Sequence, residues 1–282
     1  MTEKLDASLR FERIDTILRA EIANARAALD AIPDHPIDGV HEARKAIKKA
    51  RSNARLIRKG DTACSKAIND AGRQASHAVG PARDADSLIE LAHAEALRTD
   101  DPDAAAELRA MAHEALDEAR THDREAAAAE ARAWLDAMEA RTARIEIGDP
   151  DKAMAKGLAR NWKRACKRLD EAEDDPGRKA MHELRKRAKD WRYNVVALKR
   201  VWPGGVKRRK TKTKKLTTLL GDIHDIDRIA GLLEDRSGDG AKAARKAVCK
   251  RRERLCEAAL DLAGDPFDVN PSKAKDKLKD AA

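Results

Sequence analysis

Two segments carry the same basic pattern, H-E-x-R-K-x-x-K-x-x-R: His41, Glu42, Arg44, Lys45, Lys48 and Arg51 in the first, His182, Glu183, Arg185, Lys186, Lys189 and Arg192 in the second. Spacings of three and four residues bring such side chains onto one face of a helix. A row of guanidinium and ammonium groups on that face binds anions, each charge-assisted hydrogen bond contributing about 1.5 to 3 kcal/mol where sheltered and less where exposed. A single charge run is usually only a solvated helix face. Two copies in one helical phase favour a built anion-binding surface.

The same residues suggest other chemistries, which fare less well. A zinc protease needs H-E-x-x-H, and Lys45 and Lys186 stand where its second histidine belongs. His41 and His182 are expected in the first turns of their helices, where the dipole and neighbouring cations disfavour the imidazolium. A bound polyanion would reverse that, so binding should tighten as pH falls from about 8 to 6. Glu42 and Glu183 are expected to support the helix N-terminus and to hold a neighbouring Arg or Lys.

A fainter echo accompanies the pattern: Gly80, Arg83, Asp84 and Asp86 match Gly221, His224, Asp225 and Asp227 as G-x-x-[R/H]-D-x-D. Both motifs recur at an offset of 141 residues, half of the 282-residue chain. An internal duplication with halves meeting near Ile147-Gly148-Asp149-Pro150 accounts for this. The four aspartates fit helix capping and ion pairing better than Mg²⁺ ligation in a phosphohydrolase or phosphotransferase. Phosphate-loop signatures are lacking, and Trp202-Pro203-Gly204-Gly205-Val206-Lys207 does not imitate one.

Helices must position these side chains. Only 2% of residues are aromatic, against 42% apolar and 39% charged, so the core must be built from Ala, Leu, Ile and Val in amphipathic helices. The first helix is expected from about Glu3 to Ala31 and the second from an Asp38 N-cap to Lys59-Gly60. Val40, Ala43, Ile47, Ala50, Ala54 and Ile57 form the apolar stripe of the second, opposite the basic face. Its counterpart runs from about Pro176 to Trp202, with Met181, Leu184, Ala188, Trp191, Val195 and Leu198 as the stripe and Tyr193 on the charged side. Further helices are expected over 61–78, 84–98, 103–145, 152–173, 209–220, 225–235 and 240–263. The fold class is therefore all-α: two pseudo-symmetric four-helix bundles over residues 1–148 and 149–269, with 270–282 a frayed tail.

The net charge of +9 is uneven, residues 1–141 holding 22 basic and 27 acidic side chains and the remainder 37 and 23. Such a field draws polyanions without naming them. Nucleic acid, anionic membrane and polyphosphate all qualify. Cys64, Cys166, Cys249 and Cys256 show no CxxC pairing, the start lacks a secretion signal, and no segment approaches the roughly 20 apolar residues of a bilayer span. A cytoplasmic protein with reduced thiols is expected.

The paired His-Glu-x-Arg-Lys helices, each followed by the G-x-x-x-D-x-D segment, resemble the CHAD family, the conserved histidine α-helical domains, over nearly the whole chain. That resemblance implies two pseudo-symmetric four-helix bundles that bind inorganic polyphosphate in a central basic groove or pore. Carried over by residue, it points to His41, Arg44, Lys45, Lys48, Arg51, His182, Arg185, Lys186, Lys189 and Arg192. Arg55, Lys66 and Arg73, with Lys207 and Lys214, extend the same surface. A helical turn rises about 5.4 Å, close to the span of two phosphoryl units, so successive cations can engage a passing chain. The expectation is a standalone binding module, not an enzyme, that needs no cofactor, although Mg²⁺ can accompany the polyanion, and that associates with polyphosphate granules. Non-specific nucleic-acid binding is the alternative, through the run Lys207 to Lys215; against it, stacking on bases would require aromatics that are scarce here.

Overall fold

The computed structural model describes residues 7–197 and 206–267, and within these the regular structure is entirely helical. The helices are α1 Ala7–Asp30, α2 Pro36–Ala54, α3 Thr62–Ala78, α4 Gly80–Ala96, α5 Pro102–Thr121, α6 Arg124–Thr142, α7 Pro150–Asp174, α8 Arg178–Ala197, α9 Val206–Glu234 and α10 Asp239–Phe267. A short 3-10 turn, Arg55–Lys59, follows α2.

Local chemistry sets most of the boundaries. Asp61, Asp101, Asp123 and Asp149 each accept a backbone N–H in the first turn of α3, α5, α6 and α7. Proline opens α2, α5 and α7, where its missing N–H costs nothing. The expected cap at Asp38 is corrected: α2 starts at Pro36, and Asp38 lies inside its first turn. The expected single helix over 103–145 is two, because Asp123 caps a fresh start after His122 adopts an extended backbone.

Conversely, the segments expected at 209–220 and 225–235 are one helix, α9. The offset of 141 explains the contrast, since it carries α1 onto α7, α2 onto α8 and α5 onto α10, while α3 and α4 together fall on α9. At the junction the first copy has Pro81, which has no N–H to continue the ladder, and the chain breaks at Val79 (φ −90°, ψ 10°). The second copy has Asp222 there, and the helix runs through. Among the described residues α6 has no counterpart in the second half.

The apolar stripes seal as their spacing requires. Val40, Ala43, Ile47, Ala50 and Ala54 of α2, Ile57 beyond it, and Met181, Leu184, Ala188 and Trp191 of α8 are buried. Leu198 and the side chain of Val195 lie outside what the structure describes. The cores cut across the sequence halves. One unites apolar residues of α1, α2, α3, α6, α7 and α8 with the first part of α9 and the last part of α10. The other joins α4 and α5 to the remainder of α9 and the start of α10, a four-helix packing drawn from both halves.

α2 and α8 cross at a buried polar knot. Asn194 Nδ2 donates to the Ser52 carbonyl (3.2 Å) and lies 3.5 Å from Asn53 Oδ1, while Asn161 Nδ2 donates to Asn194 Oδ1 (2.7 Å). Ser52 Oγ donates to the Asp190 carbonyl (3.2 Å). Asn53 and Asn194 are themselves 141 residues apart, so the two basic helices meet at equivalent positions. Among the described residues no helix is long and apolar enough to cross a membrane.

Candidate anion-binding cleft

The crossing of α2 and α8, together with α4 and α9, encloses a cleft of about 410 Å³ lined by His41, Arg44, Lys45, Lys48, Lys49, Arg83, Arg185, Lys189, Arg192 and Arg228. Asp84, Asp222 and Asp225 are its acidic groups, so nine lysines and arginines face three aspartates. A second cavity of about 390 Å³ adjoins it, lined by Lys48, Arg51, Arg55, His182, Arg185, Lys186, Arg187, Lys189, Asp190 and Tyr193. Lys48, Arg185, Lys189 and Tyr193 line both. The two spaces are thus neighbouring chambers across one wall of basic side chains.

Lys48 and Lys189, equivalent by the offset, carry a strong electrostatic signature. Burial, then Arg44, Lys189 and Arg185, hold the Lys48 ammonium down to about 7, and burial, then Arg185, holds Lys189 to about 8. Neither ammonium has a hydrogen-bond or ion-pair partner among the described residues. Arg185 Nε is likewise buried without a hydrogen-bond acceptor, and Arg83 Nη1, also without one, has only a 3.7 Å ion pair with Glu90. Buried polar groups are nearly always satisfied. Lys48, Lys189 and Arg185 thus leave three donors on one cleft without an acceptor, a socket for an acceptor-rich anion.

The other motif positions fall into matching roles. Glu42 accepts from Lys45 (2.9 and 2.8 Å) and Glu183 from Lys186 (2.7 Å), which holds both lysines at the rim. Arg44 Nη1 donates to the Ser76 carbonyl (3.1 Å) and its Nη2 lies 3.6 Å from Asp84. Arg185 feels the Asp225 carboxylate only through its field, which partly offsets the burial that lowers its guanidinium. Arg192 Nη1 donates to Thr217 Oγ1 (3.0 Å), and Arg51 Nε reaches Asn69 Oδ1 (3.4 Å).

The histidines sit deeper in their helices than expected, His41 sixth from the start of α2 and His182 fifth in α8. A helix dipole fades beyond the first turn. Burial is instead the leading cause that lowers both, followed by Arg83 for His41 and by Lys186 and Arg185 for His182. Substitution of Arg83 by His224 becomes intelligible here. Arg83 presses on His41, whereas His224 Nδ1 lies 3.3 Å from His182 Nδ1, a hydrogen bond when one ring donates and the other accepts. Burial and Arg185 hold His224 to about 3, so this pair is neutral.

Asp86 is buried and bidentate to Arg124 (2.8 and 2.7 Å), and Asp227 accepts from Arg252 (2.6 Å). Asp225 is half-buried and its carboxyl is raised by burial. Asp84, Asp86 and Asp227 pair with cations, Asp225 makes no ion pair among the described residues, and none of the four caps a helix, the capping half of the expectation being corrected by their position inside α4 and α9.

Three expected positions lie outside both cavities. Lys66 (78% exposed) and Arg73 (64% exposed) flank Asp70 on α3, one residue off the stripe of Ser65, Ile68, Gly72 and Ala75 that packs inward. Lys214 is exposed on α9 beside the buried Thr213. The side chain of Lys207 lies outside the described residues. Lys49, Thr217, Thr218, Arg228 and Tyr193, none of them among the expected contacts, do line the cleft. Tyr193 was visible on the charged face of α8; Arg228 is recruited from α9 only by tertiary packing, its Nη2 donating to the Asp84 carbonyl (2.9 Å).

The family model of the CHAD domain matches residues 14–234. The chain belongs to the CHAD family. The fold of this CHAD protein is also that of the crystal structure of the CHAD domain from the plant Ricinus communis, with a TM-score of 0.62 at 21% identity over 99% of this chain and 95% of that one. A comparison with curated proteins finds no match.

Proposed function

We propose that this CHAD protein binds inorganic polyphosphate in the cleft between α2 and α8. The observation that carries the reading is the pair Lys48 and Lys189, half-buried, facing like charges and unpaired among the described residues. Isolated buried ammonium groups are costly, and a polyanion would remove that cost. A linear phosphate chain fits because its acceptors recur at the interval of the helical turns. Single-stranded nucleic acid would require aromatic faces, but among the described residues Tyr193 is the lone Phe, Trp or Tyr of either cavity, and Trp191 is core, only 1% exposed.

The role is retention of the polyanion, not turnover. Asp86 and Asp227 are held by guanidinium groups and are not presented to a metal. Affinity should come from many contacts on rigid helices, arginine supplying directed pairs of donors and lysine mobile charge. A competition titration tests the reading: duplex DNA at equal phosphate concentration and moderate salt should leave long-chain polyphosphate bound. Displacement by DNA would overturn it, as would turnover of polyphosphate that is lost in Asp84→Ala or Asp225→Ala.

A further inference from the structure

Beyond the second cavity lies a cluster of arginines that the repeated motif does not announce. Arg160 and Arg164, one turn apart on α7, share a neighbourhood with Arg187 of α8 and with Arg55 and Arg58 of the 3-10 turn. Asp190 is the carboxylate among them, and both its oxygens are already engaged, Oδ1 by Arg55 Nη1 (2.5 Å) and Oδ2 by Arg187 Nη1 (2.8 Å). Arg160 Nε and Nη2 and Arg187 Nε are buried with no hydrogen-bond acceptor. Five guanidinium groups around one spent carboxylate leave an excess of directed donors and positive charge.

The backbone holds this cluster together. A Cβ placed on Gly157 would lie 2.0 Å from the Leu56 carbonyl oxygen, so α7 is pressed directly onto the turn that carries Arg55 and Arg58. The arginines therefore cannot separate by a small shift of α7. Arg55, Arg187 and Asp190 also line the second cavity, which shares Lys48 and Lys189 with the main cleft. Cations thus succeed one another from α9 past the two lysines to Arg55 and Arg187, whose charges act on Arg160 and Arg164 of α7.

We propose that the Arg160, Arg164 and Arg187 cluster is a second oxyanion site, which takes a tetrahedral phosphoryl group where a long chain leaves the central cleft. Planar guanidinium forks match phosphoryl oxygens in pairs, and Arg160 has two adjacent donors free for one. The identity of the long chain rests on the function proposed above; the oxyanion preference of the cluster does not.

The experiment compares wild type with Arg160→Gln/Arg164→Gln and Arg160→Lys/Arg164→Lys, using long-chain polyphosphate, tripolyphosphate and inorganic phosphate. In the glutamine variant, long-chain affinity should fall about tenfold and the salt dependence should flatten by one to two counterions, at roughly 0.7 per neutralised phosphate as for single strands. Tripolyphosphate affinity, set by the denser central cleft, should stay within about twofold, which also reports an intact fold. The lysine variant should keep the salt slope but lose long-chain affinity, since charge remains and the fork does not. Unchanged long-chain binding in the glutamine variant overturns the proposal, and so does equal weakening of both chain lengths. Wild type that bound neither chain would sink the cleft reading instead. The cluster is then judged by inorganic phosphate alone: shifts of arginine Nε–H resonances that vanish in the glutamine variant support it, and their absence in wild type overturns it.

Discussion

Polyphosphate binding should take up protons, and lysines should be the groups that take them. The unfolded or fully compensated Lys48 and Lys189 titrate near 10.5, whereas the empty cleft holds them to about 7 and about 8. A bound polyanion that restores the ordinary value must protonate whatever fraction is neutral beforehand. That fraction sums to about 0.3 protons at pH 6.5, about 1 at pH 7.5 and about 1.7 at pH 8.5. Integrated over the same range, affinity should weaken about 100-fold, or about 2.7 kcal/mol, between pH 6.5 and 8.5. The histidines add to the uptake mainly at the acid end: His41, His182 and His224 are lowered in the empty cleft, and even when restored to the ordinary value of about 6.5 they stay largely neutral at pH 7.5 and above. Calorimetry in two buffers of different ionisation enthalpy, at fixed ionic strength and with long chains whose terminal groups are few, reads the uptake directly. Lys48→Met should cut uptake at pH 7.5 from about 1 to about 0.2. Uptake near zero at pH 8.5, or affinity constant across the range, would refute the reasoning. The sign for stability is opposite: without ligand, the unfolded chain binds more protons between the folded pKa values and 10.5, so the empty protein should gain stability as pH rises through that window.

Other perturbations separate framework from site. Gly157→Ala forces a methyl into the Leu56 carbonyl and should cost about 3 kcal/mol in urea unfolding, a neutral result contradicting the close approach. Arg124→Leu strands the buried Asp86 and should cost about 3 to 5 kcal/mol, much of it recovered in Asp86→Leu/Arg124→Leu; no recovery would mean that the pair is not the cause. Asn194→Ala leaves the Asn161 amide and Ser52 carbonyl without their partner and should cost about 1 to 3 kcal/mol in the same assay. Lys66→Ala, Arg73→Ala and Lys214→Ala should each leave polyphosphate affinity within about twofold at moderate salt, whereas Lys48→Ala should not.

The legible part of the fold was whatever depends on neighbours within a turn or two. The stripe of Val40, Ala43 and Ile47 and that of Met181, Leu184 and Ala188 could be read because a period of 3.6 assigns each residue a face. One start was missed although its signal was present, since Asp123 is a good cap but was hidden in an alanine-rich run; the break between α3 and α4 was expected, with α4 placed to begin at 84 where it begins at Gly80. Lys66, Arg73 and Lys214 fall outside both cavities because a repeat offset preserves letters, while a side chain one residue from the inward stripe turns to solvent.

The site divides along the same line. Residue order by itself determined that two basic faces exist, that they are equivalent and that they share one helical phase, since these properties are periodic and local. Tertiary structure alone decided that the faces meet, through Asn53 and Asn194, and that Arg228 joins them from α9. It also added pH-sensitive groups. An imidazole looks like the switch near neutral pH because its ordinary pKa lies there. Desolvation and confinement among like charges, which no short window of sequence contains, lower the histidines and bring Lys48 and Lys189 into that range beside them.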